Sequence, residues 1–334
     1  MTSTSPPRSS PPPAGGGESS PWHAHAAAVV ASDAEWLATA LPFIEAGLRA
    51  GDLVVLACPD DRMALVAAAL GQQAALVRHE PGISLLGARP PDALARCRRY
   101  VEDAAGTGSG RVRVLADVDF GGEPADWREG QRFESVVNRI LSGAPVTVCC
   151  LYDERRLPAP VVRSAAATHP VLVRGVQRRP SRAYQEPEAF VPALPLPREP
   201  VEDGEPVAVI EDAPGLAVLR RRIRESLAAW VPDHDQREDL HLGFAEIAAN
   251  AFRHGAPPVS VRVWSDGARI VCTVSDGGTS PLDPLCGFVP AHGQDLSRGG
   301  MGLWLARKLW DHVDVLPGRD GLTVRLSTRL RAAG

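Results

Sequence analysis

Glu246-Ile247-Ala248-Ala249-Asn250-Ala251-Phe252-Arg253-His254-Gly255 decides how the C-terminal part of this 334-residue chain is read. A helix is expected over 236–253, and within it Glu246, Asn250 and His254 recur every four residues, so they share one face with gradual drift. A carboxylate and an amide one turn apart can hold a water and a divalent cation. Hard Mg²⁺ favours oxygen ligands such as the Asn250 carbonyl, together with phosphates and waters. The same spacing also suits an ordinary polar helix face.

Two motifs downstream sharpen the reading. Val274-Ser275-Asp276-Gly277-Gly278 ends a strand with an acid and two glycines. Asp276 can accept a hydrogen bond from an exocyclic amine such as that of adenine, and Gly278 lets a base approach the backbone; alone, the motif is a simple turn. Arg298-Gly299-Gly300-Met301-Gly302-Leu303 then leads into a helix expected over 301–311. Glycines before a helix expose backbone N–H groups at its positive end, which suits phosphate, with Arg298 adding charge. A lone glycine loop says little. The order of all three motifs, followed by Gly321-Leu322-Thr323-Val324 on the last expected strand, says much more.

On those residues, 207–330 resembles the GHKL (Bergerat) ATP-binding fold, most closely the anti-sigma-type serine kinases. The resemblance implies that Glu246 polarises the attacking hydroxyl, Asn250 binds Mg²⁺ and Asp276 reads adenine. It also implies that His254, Gly278, Gly300, Met301, Gly302, Leu303 and Thr323 belong to the ATP site. The loop Thr279–Gly299 departs from the family, with several prolines and no lysine.

The bulk composition agrees. Of 36 Lys and Arg residues, one, Lys308, is lysine, and it does not follow a glycine. A Gly-Lys-Ser/Thr phosphate loop, a kinase strand lysine and Schiff-base chemistry are therefore not expected. A net charge of −4 gives no electrostatic case for nucleic acid. No apolar run reaches about 18 residues, so no membrane span is expected. The first residues show no apolar core after a basic start, so no secretory signal is expected. The six cysteines form no C-x-x-C pair and read as reduced core thiols of a cytoplasmic protein.

Residues 1–21 hold 17 Pro, Ser, Gly or Thr and read as a disordered tail. A proline-rich linker, 178–206, is expected to be extended and to separate region 22–177 from region 207–330. The first region alternates apolar strands (53–58, 74–78, 112–117, 146–152, 171–173) with helices, which implies a parallel sheet covered on both faces, a three-layer α/β domain. The second groups its helices against an antiparallel-leaning sheet, a two-layer α/β sandwich.

The first region resembles the MEDS sensory domain. The resemblance rests on His25, the run Phe43–Leu48, Ala116-Asp117-Val118-Asp119-Phe120-Gly121-Gly122, Phe133-Glu134-Ser135-Val136-Val137-Asn138, Cys150-Leu151-Tyr152-Asp153 and Thr168-His169-Pro170. The family is thought to sense small molecules. His25, Asp117, Asp119, Glu134, Cys150, Asp153 and His169, expected mostly at strand ends or helix starts, are the candidate ligand residues. Each carboxylate also suits a helix cap or solvated loop, and Cys150 a buried core thiol.

A histidine kinase would need a phosphoacceptor hairpin upstream of the second region, where the prolines stand; His241 on the nucleotide helix reads as structural. Gyrase-type ATPases would need a following transducer domain. There remain phosphorylation of a partner serine or threonine and ATP-dependent partner binding without chemistry. The expected partners are a sigma factor or anti-anti-sigma-like protein and a small-molecule signal at the first domain, with homodimerisation left open.

Overall fold

A computed structural model describes residues 23–106, 108–279, 283, 285–290, 301–319 and 321–332. The N-terminal region runs β1 (His23–Val30), α1 (Asp33–Ala50), β2 (Leu53–Ala57), α2 (Asp60–Leu70), β3 (Arg78–His79), α3 (Pro90–Ala104), β4 (Val112–Asp117), α4 (Pro124–Ile140), β5 (Val146–Asp153), α5 (Ala159–Thr168), β6 (Val171–Arg174) and β7 (Gln177–Pro180). The strands order β3-β2-β4-β5-β1-β6-β7, with every pair parallel except β6–β7. One face of the sheet packs Val55, Val114 and Val148 with Phe133 and Val136 of α4. The other packs Leu56, Leu115 and Leu151 with Trp36 and Ile44 of α1. Strands apolar on both faces thus build the expected three layers.

Three local expectations fail. β1 was not expected, because His-Ala-His-Ala-Ala-Ala is poor in the β-branched residues that mark strands. Of the strand expected over 74–78, residues 74–76 lie instead in a 3-10 turn, Gly71–Leu76. The proline-rich stretch is not an extended spacer: it carries β7, helix α6 (Pro187–Ala193) and a 3-10 turn over Pro200–Asp203. Pro187 sits in the first helical turn, where a missing N–H costs nothing, and Phe190 is buried.

The C-terminal region runs β8 (Ala208–Ile210), α7 (Leu216–Trp230), α8 (His234–His254), β9 (Ser260–Ser265), β10 (Arg269–Asp276), α9 (Gly302–Leu309), β11 (His312–Pro317) and β12 (Leu322–Arg329). Its sheet, ordered β11-β12-β10-β9-β8, is antiparallel throughout. Asp233 caps α8 by accepting from the Gln236 N–H at 2.7 Å. Leu219, Ile223, Phe244, Ile247 and Trp310 pack with Ile270, Cys272 and Leu326 to form the two-layer core. No described helix is long and apolar enough to cross a membrane.

The two regions meet through a buried ionic seam. Asp314 of β11 accepts from Arg128 at 3.0 Å and from Arg132 at 2.5 Å, both on α4, and from Arg325 of β12 at 2.6 Å. Arg325 also reaches Glu202, and Arg307 of α9 reaches Glu129 of α4, at 2.8 and 2.9 Å. His312 and Arg329 bind Asp126 at 2.9 and 2.7 Å. Lys308 pairs with Asp92 of α3 at 2.8 Å, so the single lysine serves this seam rather than phosphate.

Burial alone would raise the Asp126 carboxyl, but its bonds from His312 and Arg329 hold it at about 2, against 3.8 unperturbed. A depressed carboxylate stabilises fully above its unperturbed value and loses that contribution as pH falls through the depressed one. The Asp126 contribution to the seam is therefore expected to be complete above about pH 4 and to be lost as pH falls toward 2, while Asp314, held lower by its three arginines, keeps its charge. Denaturant unfolding of wild type beside Asp126→Asn checks this: the stability difference should shrink between about pH 4 and 2, and a constant difference contradicts it.

Candidate functional site

Between α8, β10, β12 and the start of α9 lies a cavity of about 490 Å³. That volume falls within the range of small-molecule sites. Asn250, His254 and Asp276 line it, with walls from Ile247, Ala251, Val274, Leu303, Leu322 and Val324. Val274, Asp276, Leu322 and Val324 share it because Val274 pairs with Val324 and Asp276 with Leu322 across β10–β12. The Asp276 Oδ1 accepts from the Gly278 N–H at 2.7 Å. Among the described residues no hydrogen bond reaches its other carboxylate oxygen, which can accept from a ligand donor. Gly302 opens α9 against Asn250, where a Cβ would lie 2.5 Å from the amide nitrogen.

The expected site residues do not all converge. Met301 is the residue before the first turn of α9 and Leu303 lines the cavity. Gly278 lies against the Asp276 carboxylate and Gly255, so its small size also serves the turn itself. Thr323 alternates to the opposite strand face, where its hydroxyl meets Ser275 at 2.8 Å. Arg298 and Gly300 lie outside the described residues. Glu246 lines a separate cleft between α7 and α8, with Arg220, Arg221, Arg224, Glu238 and Asp239. His241 is buried there and bonds the Arg220 carbonyl at 3.1 Å, in keeping with a structural role.

Sequence reasoning missed the apolar walls, although Ile247 and Ala251 follow Glu246 and Asn250 directly. It also missed Ile140, which reaches the cavity from α4. Leu285, Cys286, Gly287 and Val289, from the segment between the adenine motif and α9, close one side. Gly287 has φ +85°, and a Cβ there would meet Leu303 at 2.9 Å. The next residue, Phe288, is fully buried in the core of the first region under the Arg307 guanidinium. One short segment therefore touches both the cavity and the N-terminal core.

The seven N-terminal candidates split into three groups. Asp117 and Asp153 join Trp36, Arg62 and Arg155: Asp117 accepts from the Trp36 indole at 2.7 Å, and Asp153 from Arg62 at 2.6 Å. Burial pushes the Asp117 carboxyl up, whereas the Arg155 bonds hold Asp153 down. Asp119 caps its own loop at the Gly121 N–H and faces a groove at the seam. His25, Glu134, Cys150 and His169 gather in one buried cluster. They sit at mid-strand on β1 and β5, mid-helix on α4 and just beyond α5, deeper than the strand ends expected.

The fold and cavity are consistent with an ATPase-type domain joined to a sensory domain, and family matches assign both. Residues 211–328 match the histidine kinase-like ATPase domain family, and residues 24–170 match the MEDS family, the methanogen/methylotroph, DcmR sensory domain. The chain is similar to the serine-protein kinase RsbW of Bacillus velezensis, with 33% identity over 108 residues, 29% of this chain and 67% of that protein. The RsbW of Bacillus subtilis is 32% identical over the same span. Through its C-terminal region the chain belongs to this RsbW family. A solved structure of the RsbU and RsbW domains of a Mycobacterium tuberculosis protein matches at 24% identity and a TM-score of 0.28, covering 38% of this chain and about a third (34%) of that one.

Proposed function

We propose that the chain is a cytoplasmic signalling regulator in which a sensory domain controls an anti-sigma-type kinase that phosphorylates a serine or threonine of a protein partner. The carrying observation is the 490 Å³ cavity, which sets Asp276 among apolar walls and Asn250 beside the start of α9. Its residues fit ATP with Mg²⁺: Asp276 would hold the adenine amine, the apolar walls its ring, and Asn250 the cation. Bound Mg²⁺–ATP supplies the phosphoryl group and the charge neutralisation that an absent lysine cannot. On this reading Glu246 receives the hydroxyl proton of a partner presented in the α7–α8 cleft, a sigma factor or anti-anti-sigma-like protein.

Coupling is supported by α4 and by the segment around Phe288. Helix α4 places Glu134 in the sensory core, Arg128, Glu129 and Arg132 in the seam, and Ile140 at the ATP cavity. A shift of α4 changes all three at once.

Titration calorimetry with Mg²⁺–ATP tests the cavity. The wild-type chain is expected to bind, and Asp276→Ala to lose about 100-fold, the size of a buried charged hydrogen bond to a lost partner. Equal affinity for the two proteins overturns the adenine assignment. A second reading, an ATP-dependent switch that sequesters its partner without chemistry, draws on the placement of Glu246 outside the cavity. Labelled phosphate on a partner serine or threonine excludes it.

A further inference from the structure

We propose that the His25–Glu134–Cys150–His169 cluster is a zinc-binding centre of the sensory domain. Each of the four side chains is at most 4% exposed as a residue, and their ligand atoms all lie within 4.8 Å of one another. The Glu134 Oε2 is 3.2 Å from the Nε2 of both histidines. The Cys150 Sγ is 3.4 Å from His25 Nε2 and 3.4 Å from Glu134 Oε2. Tetrahedral bonds of about 2.0–2.3 Å to N, O and S place neighbouring ligand atoms about 3.3–3.7 Å apart, so these four edges already have that scale.

The surroundings orient the donors. His25 Nδ1 bonds the side-chain oxygen of Asn138 at 3.0 Å. The Asn138 amide is turned that way because its nitrogen donates to the carbonyls of Thr168 at 2.7 Å and Ser135 at 3.0 Å. His169 Nδ1 bonds the Ala165 carbonyl at 3.0 Å. Both imidazoles thus carry their proton on Nδ1, as their acceptors require, and turn the Nε2 lone pair inward. This is the outer arrangement of metal-binding histidines.

What remains inside is an imbalance. Two Nε2 lone pairs and a carboxylate oxygen converge, and the Cys150 thiol is the one donor among the four side chains. His169 Nε2 is fully buried and forms no hydrogen bond of acceptable geometry. Unpaired buried acceptors are costly. A divalent cation satisfies all four groups, and on binding the thiol proton passes to solvent as the Zn–S bond forms. The mixed N₂SO set suits zinc rather than Mg²⁺ or Ca²⁺, which take oxygen.

A cavity of about 20 Å³ adjoins the cluster, walled by Ile83, Leu94, Phe133, Val137 and Val148. It has room for about one water-sized molecule next to the metal. Glu134 ties the centre to α4, so a change in coordination acts on the helix that meets the second region.

Elemental analysis of the full-length chain, purified without added metal, is expected to show about one zinc per chain. Chelator-stripped protein should regain one equivalent by titration with Zn²⁺. With Co²⁺ it should show tetrahedral d–d bands and a thiolate-to-cobalt charge-transfer band. Cys150→Ser should lose that band, and Cys150→Ser and His169→Gln should each weaken zinc at least about tenfold, as removal of a supporting partner alone already does. Cys97→Ala, a change to another buried thiol beside the same cavity, should retain the band. No saturable Zn²⁺ or Co²⁺ binding by the folded wild-type chain overturns the proposal. So does a charge-transfer band that survives Cys150→Ser.

Discussion

Asp314→Ala is expected to destabilise the chain by about 3–5 kcal/mol, the range for breaking a buried ion pair from one side. The aspartate is 1% exposed and stands among three guanidiniums, Arg128 and Arg132 from α4 and Arg325 from β12. Burial by itself would raise its pKa, but the three arginines hold it well below the ordinary carboxylate range. Alanine leaves those charges with carboxylates that are already engaged, Glu129 with Arg132 and Arg307, and Glu202 with Arg325. Denaturant unfolding of the full chain measures the loss. The double variant Asp314→Ala with Arg128→Met is expected to recover part of it, because deleting both partners removes the uncompensated charge. A single-variant loss under about 1 kcal/mol would show that the seam does not hold the two regions.

The seam also shows where sequence legibility stops. Nothing local in the sequence of α4 says that Arg128, Glu129 and Arg132 point into a second domain. The β-rich stretches Leu53–Ala57 and Val112–Asp117 announce buried parallel strands by composition alone. β1 does not, yet it lies between β5 and β6 near the centre of the sheet. Alanine tolerates that place because both faces are already crowded by helices, a tertiary fact that overrides propensity. The proline-rich stretch misled in the opposite sense: its prolines suit first turns of short helices as well as extended chain.

Asn250, His254 and Asp276, each in a contiguous motif with a chemical reason for its spacing, do line one cavity. Thr323 was misplaced by one residue of strand alternation: Leu322 and Val324 face the cavity instead. In the sensory region all four members of the buried cluster were named, mixed with Asp117, Asp119 and Asp153. Separating them requires the pairing of β1 with β5, which sets Ala27 opposite Cys150 and brings His25 beside the Cys150 thiol. Residues 125 positions apart carry no local signal of that contact.

Glu246→Ala is expected to lower phosphotransfer to a partner about 10²–10⁴-fold, the contribution of a positioned general base. It should leave Mg²⁺–ATP affinity within about twofold, since Glu246 is absent from the cavity lining. The two expectations belong together. Glu246 stands one helical turn before Asn250, so its backbone is tied to the end of α8 that lines the cavity, while its side chain opens on the α7–α8 cleft. That cleft has Arg220, Arg221 and Arg224 on one wall and Glu238 and Asp239 on the other. Its charge suits a peptide segment better than a nucleotide base. A hydroxyl entering there would meet the Glu246 carboxylate, and in-line transfer would require it to approach the phosphoryl group opposite the leaving oxygen. Single-turnover assays with labelled ATP, run beside calorimetry on the same two proteins, separate the cases. Equal phosphotransfer removes Glu246 as the base. A parallel collapse of ATP binding would instead make it a nucleotide ligand, and the cleft would lose its claim to the partner.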